Sequence, residues 1–165
     1  MEIPLPTRPV RADDGPRFCR LWSRLSRETV YRRFHAPLHR PPSDALPHLV
    51  GVDHDLREAL VAVVGDEVVG VARYDRPATA PGTAEVAVVV EDAWQGAGVG
   101  RQLLRDLLDL AGRRGVTTVT ADVQADNDRV VGLVRRLLPG ATLTPADGVY
   151  AVTAPLPRVP ALAGT

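Results

Sequence analysis

The chain has 165 residues, with 20 Lys+Arg balanced by 20 Asp+Glu, so its zero formal net charge implies no polyanionic partner such as nucleic acid. That length and a 45% hydrophobic content suit one packed domain and not two. A single cysteine, Cys19, excludes an internal disulfide and fits a reducing compartment; no apolar run approaches the ~20 residues of a membrane span, and no signal-peptide core opens the chain. The expectation is a soluble cytoplasmic protein. Every basic residue is Arg, and Asn127 is the only Asn, which a codon bias towards Ala, Arg, Gly, Pro and Val explains without a functional cause. With no lysine, the chain offers no side-chain amine for self-acetylation.

Residues 3–11 read as an opening strand that their prolines confine to a sheet edge. Asp13 and Asp14 before Gly15-Pro16 read as a helix start, and Phe18, Leu21, Trp22 and Leu25 recur at helical spacing. Ser26 caps a second short helix that carries Val30, Tyr31 and Phe34 and stops at Pro37; Ser43 opens a third piece containing Leu46, Leu49 and Val50, against which Pro47 argues. The period then changes. Ala59–Val64 and Val68–Tyr74 form a hairpin around Gly65-Asp66, and Ala84–Val90 follows a Pro/Gly/Ala loop as the third strand of a meander. A helix from Val99 turns Val99, Leu103, Leu107, Leu110 and Ala111 inward and stops at Gly115. A strand over Val116–Val123 precedes a helix capped by Asp126 or Asn127, with Val130, Leu133, Val134 and Leu137 inward. Ala141–Thr144 and Val149–Thr153 make a closing hairpin at Asp147-Gly148. The domain is expected over residues 1–154, followed by a Pro-rich, unpacked tail over 155–165.

The stretch from Val86 to Arg101 carries the chemistry. Valines favour a strand, and Gly96, Gly98 and Gly100 then bring amides to a helix start, where free N–H groups and the helix dipole favour an anion such as pyrophosphate. A P-loop needs a lysine, and the chain has none. A dinucleotide fingerprint would find Asp122 at the right distance for its acid. Its sixth position, however, is Arg101, and five residues separate the valine run from the first glycine. The third reading is Gln-x-x-Gly-x-Gly from Gln95 through Gly98 to Gly100. This resembles the acetyl-CoA-binding motif of the GNAT N-acetyltransferases. The element order agrees, since a dinucleotide-binding domain would repeat strand–helix units from its first residues. The resemblance covers about Leu21 to Leu138 and implies an α/β fold: a central mixed, mostly antiparallel sheet flanked by helices.

Within that superfamily the chain most resembles the acetyltransferase domain of bacterial Pat-type protein lysine acetyltransferases. The carrying segments are Leu25–Phe34 with its Tyr-x-x-Phe ending, Val52-Asp53-His54-Asp55 ahead of Ala59, and Ala84-Glu85-Val86-Ala87 with the glycine turn. The resemblance implies acetyl-CoA as co-substrate. Val88 and Val90 would hold the pantetheine arm as an added strand, and amides of Gln95, Gly96, Gly98, Val99, Gly100 and Arg101 would surround the pyrophosphate. Asn127 falls where the family places an Asn on the coenzyme arm, although a helix cap explains it equally.

Acetylating an amine requires removing its proton, because a lysine of pKa ~10.4 is almost fully charged at neutral pH. Glu85 is the candidate base. It is the only charged side chain between Thr83 and Val90, it matches the Pat-type strand, and partial burial would raise its pKa. Asp122 is its substitute. The Tyr that many GNAT enzymes use to protonate the leaving thiolate is replaced by Val134, and the usual Gly-aromatic pair by Leu138-Pro139. A coenzyme A thiol leaves without much help, so activity is still expected. Tyr31 and Phe34 are open to two readings, the acceptor side and, as amphipathic-helix packing favours, the core, and Trp94 is expected under the turn. His35 and His39 share no helical face because Pro37 separates them, so no metal site is expected. The expected activity is N-acetylation of a protein lysine. The alternatives are a small-molecule amine acceptor and a catalytically silent acyl-CoA-binding module, and a homodimer through edge strands is compatible with the pattern.

Overall fold

The computed structural model describes residues 4–35 and 45–157. Seven strands form one sheet in the order β1-β2-β3-β4-β5-β7-β6: β1 (Thr7–Pro9), β2 (Arg57–Val64), β3 (Glu67–Asp75), β4 (Thr83–Val90), β5 (Thr118–Gln124), β6 (Thr142–Ala146) and β7 (Val149–Pro155). Only the β4–β5 pair is parallel. The expected edge strand, meander and closing hairpin are all present. Asp147 and Gly148 take positive φ of 52° and 77°, the turn a two-residue hairpin demands.

Among the described residues five α-helices flank the sheet: α1 (Gly15–Arg24), α2 (Arg27–Phe34), α3 (Ala45–Val50), α4 (Val99–Arg113) and α5 (Asp128–Leu137). On one face, Phe18 and Leu21 of α1 pack with Ala59, Val61, Val68 and Val71. On the other, Val99, Leu103, Leu107 and Ala111 of α4 pack on Leu60, Ala72, Tyr74, Val86 and Val119. Gly70 makes that contact close: a Cβ there would stand 3.0 Å from Leu103 Cδ1 and 3.2 Å from Val99 Cγ1. The side chain missing from β3 therefore sets how near the start of α4 lies to the sheet.

Ser26 caps α2 as expected, accepting the Thr29 N–H at 3.1 Å. Asp14 is not a side-chain cap of α1. It is fully buried, taking both Arg8 guanidinium nitrogens at 2.7 and 2.8 Å and the Arg11 N–H at 2.7 Å, which anchors β1 to α1. Pro37, His39 and Ser43 lie outside the described residues; α2 ends at Phe34, with His35 left-handed at φ 57°. Pro47 sits inside α3, in a helix of six residues where it removes little hydrogen bonding.

The expected tail boundary needs correction. Strand β7 runs to Pro155, paired with Thr118, and Leu156 is buried in the α4-side core, so the packed chain reaches past residue 154. Two prolines near a chain end hid a strand end whose pairing partner is distant in sequence.

Candidate active site

Strand β4 stays bonded to β3 from Glu85 to Val90, but to β5 only over Thr83–Glu85 against Thr118–Thr120. Beyond Glu85 and Thr120 the two parallel strands part. On the β2 side of β3, Ala62 faces Gly70 and Val63 faces Val68, so Val69 is an extra, bulged residue in β3. Its carbonyl accepts the Glu91 N–H at 2.8 Å and prolongs the β3–β4 ladder. Strand alternation then turns the main-chain groups of Val88 and Val90 away from β3 and into the gap. The Val90 carbonyl is taken by Gln95 Nε2 at 3.0 Å. Val88 N–H and C=O and the Val90 N–H have no ladder partner on that side. The gap opens into a cleft of about 860 Å³ between β4, β5, the glycine turn and α5.

Gly96 and Gly98 hold φ of 77° and 85°, left-handed conformations that side chains disfavour. Gly98 is the N-cap of α4 and offers no side-chain acceptor, while its carbonyl receives only the Gln102 N–H at 3.0 Å. The N–H groups of Val99, Gly100 and Arg101 therefore point out of the helix start without intrahelical partners. Gly100 keeps the cleft floor open: a Cβ there would lie 3.5 Å from Val90 Cγ2 and 3.7 Å from Leu133 Cδ1.

Gln95 departs from expectation. Its N–H is donated to the Asp92 carbonyl at 3.2 Å, so it is no free phosphate amide. Its side chain instead braces the turn, donating to Val90 O and to Thr29 Oγ1 at 3.1 Å, and receiving Arg129 at 3.4 Å. Asp92 completes this latch. Its Oδ1 accepts the Ser26 N–H at 2.9 Å and its Oδ2 the Thr29 hydroxyl at 3.0 Å. Burial pushes the Asp92 carboxyl up, but the Ser26 and Thr29 hydrogen bonds outweigh it and hold the group below its ordinary value. Glu91 is buried against Arg24 at 3.0 Å. The two acids after the valine run thus bolt α1 and α2 to the glycine turn. The sequence showed the acids but not their partners, which lie more than sixty positions away.

Asn127 caps α5 through Oδ1, 3.4 Å from the Val130 N–H, and also lines the cleft. The cap uses only its oxygen, so its amide is still available to a ligand. Val134 lines the cleft floor where a Tyr was absent from the sequence pattern. Trp94 is half-buried against the α4-side core, as expected.

Glu85 stands where β4 and β5 part, paired with Asp75 across β3 and with Thr120 across β5. It is exposed, contrary to the partial burial expected. Thr120 shares its face, as does Asp122 two residues on; Asp122 is also exposed and lines the cleft, which Glu85 does not. Arg33, at the end of α2, walls both this cleft and an apolar recess of about 50 Å³ between α1, α2 and the sheet. Its guanidinium stacks over Phe34 at 4.8 Å, and Phe34 packs on Trp22 at 5.4 Å. Tyr31, by contrast, is 45% exposed and is not core.

Among the described residues no three His, Cys, Asp or Glu side chains come within reach of one metal ion. His35 Nδ1 is 2.7 Å from Gln124 Nε2, and His54 Nδ1 is 2.8 Å from Glu58.

A family model described as the acetyltransferase (GNAT) family matches residues 20–138. The chain is 33% identical over 112 residues to Acetyltransferase PA5475 of Pseudomonas aeruginosa, covering 66% of this chain and 60% of that protein. It is 33% identical over 132 residues to Acetyltransferase Pat of Mycolicibacterium smegmatis, covering 79% of this chain and 39% of that protein. It therefore spans less than two thirds of either relative. Among solved structures, the GNAT domain of S. lividans PAT superposes with a TM-score of 0.83 at 33% identity, over 91% of this chain and 89% of that one.

Proposed function

The chain belongs to the acetyltransferase (GNAT) family, and from that premise we propose that it moves an acetyl group from acetyl-CoA to a protein lysine, by direct transfer in a ternary complex. The observation that carries the coenzyme is the parting of β4 and β5 beside a helix start with free amides. The residues present suit the group. The open edge at Val88 and Val90 can pair with the amide-bearing pantetheine arm, and the amides of Gly96, Gly98, Val99, Gly100 and Arg101 can take the pyrophosphate. Asn127 can donate to the arm while still capping α5. Acetyl-CoA supplies an acetyl group already activated as a thioester.

The chain's own residues must deprotonate and orient the amine. Glu85, directly or through a water, accepts the ammonium proton so that the nitrogen lone pair can attack the carbonyl carbon. The C–N bond forms, the C–S bond breaks, and the second amine proton passes to the departing thiolate or to solvent, with no Tyr at position 134 to deliver it. Main-chain N–H groups along the open edge polarise the carbonyl. The lysine acceptor is supported by the three segments resembling Pat-type protein lysine acetyltransferases and by the likeness to Pat and to the S. lividans domain.

The test is to incubate the purified chain with acetyl-CoA and lysine-bearing peptides and folded enzymes, reading thiol release and acetyl-lysine by mass spectrometry. Acetyl-lysine on a protein acceptor is expected. Saturation by one small amine at low concentration, with no protein acetylated, would replace the acceptor. Coenzyme binding without transfer to any amine would make the chain a silent module.

A further inference from the structure

Arg33 and Glu85 carry opposite charges on one face of the sheet: Arg33 shares a recess with Val71, Arg73 and Val89, and Glu85 stands on that same face, two residues along β4 from Ala87, the partner of Arg73. Among the described residues Arg33 makes neither a hydrogen bond nor an ion pair, and neither does the Glu85 carboxylate, although each lies within the other's field. The other charges around Arg33 do not satisfy it. Arg73 repels it, and Asp75 is already held by Arg73 at 3.0 Å and approached by His48 at 3.6 Å. Burial, then Arg73, pull the Arg33 guanidinium down to about 10 against the opposing pull of Glu85 and Asp75, so its desolvation is not made good among the described residues. It nevertheless stays charged at neutral pH. The stack on Phe34, itself braced by Trp22, fixes the stem, so the guanidinium cannot swing out to water without giving up that packing.

A cation that walls the cleft and an anion on the same sheet face, beside the cleft-lining Thr120, are complementary to a ligand carrying an ammonium group near a carboxylate. Resting on the acetyl-transfer reading above, with Glu85 taking the amine, we infer that Arg33 is a specificity-determining residue that binds a carboxylate of the acceptor, so the enzyme selects amines with a carboxylate close by. On a protein, that is a lysine beside an acidic residue. The planar fork of Arg suits a carboxylate bidentately, whereas Lys would offer a point charge. The anion also lands where a positive charge is half-dry, which strengthens the contact over one made in open water.

The experiment compares matched peptides in which the target lysine is flanked by Glu, Gln or Arg, with a free α-amino acid (lysine) as a separate acceptor. Each is assayed with the wild-type chain, Arg33→Gln and Arg33→Lys, and the acetyl-CoA-induced thermal shift serves as the folding control. With wild type, kcat/KM should fall about tenfold from Glu to Gln through KM, and further for Arg. Arg33→Gln should erase that ranking with the thermal shift intact, and Arg33→Lys should keep part of it. Transfer to all three peptides at equal efficiency by wild type overturns the inference while leaving acetyl transfer standing, and this needs no variant to fold. A ranking that survives in Arg33→Gln also overturns it. Turnover of the free amino acid alone, lost in Arg33→Gln, upholds the carboxylate site and removes the protein acceptor. Failure to acetylate any amine removes the transfer reading and this inference with it.

Discussion

A carboxylate can accept a proton from an ammonium group and a carboxamide of the same shape cannot, so Glu85→Gln isolates that step. It should lower kcat by about a hundredfold or more while sparing the acetyl-CoA thermal shift, and unchanged turnover would pass the role to Asp122. A second residue-scale prediction concerns Asp14, buried and bonded by Arg8, Arg11 and Arg17. The Arg8 hydrogen bond, against burial, holds its folded carboxyl below the ordinary value. Its contribution is therefore complete above the unfolded carboxylate range and fades as pH falls through the lower folded value. Asp14→Ala should cost about 3 kcal/mol at pH 7, because two arginines lose a buried partner. Urea titrations of the two proteins should converge as pH falls below the usual carboxylate range; a gap that stays constant through that range and below it would contradict the assignment. The pattern of residues 12–16 marked a helix start but said nothing of this anchor, since Arg8 belongs to a strand.

At the scale of elements, the glycine turn separates conformation from space. Gly98→Ala places a Cβ on a left-handed residue and should cost about 1 kcal/mol and weaken coenzyme binding together. At Gly100 a methyl meets only ordinary contacts at 3.5 and 3.7 Å, so Gly100→Ala should unfold within about 0.5 kcal/mol of wild type. If it nevertheless binds acetyl-CoA several-fold more weakly, the cleft floor is where the arm lies. Equal effects of both substitutions on stability would refute that division. Strand, turn and helix here were legible in the sequence because valine branching, glycine freedom and a Leu repeat are local properties. The latch of Asp92, Thr29 and Gln95 was not, because it joins α2 to the turn across the fold.

For the whole molecule, acetyl-CoA at a hundred times its dissociation constant should add about 2.7 kcal/mol and raise the thermal midpoint by roughly 5–10 °C, with NAD inert. A shift with NAD alone would restore the dinucleotide reading that Asp122 once kept open. The same ligand should protect α4, β4 and α5 together in hydrogen exchange, because all three wall one cleft.

The order of elements, the glycine turn, the caps at Ser26 and Asn127 and the family likeness followed from the sequence alone, since each rests on periodicity, sterics or a short motif within a few residues. The tertiary structure decided the rest. Where β4 and β5 part depends on pairing between strands far apart in the chain. The exposure of Glu85, the use of the Gln95 N–H inside the turn, the burial of Leu156 and the place of Arg33 in the cleft wall were likewise decided by the assembled fold. Burial and pairing are properties of neighbours, and these residues meet theirs only once the sheet has assembled.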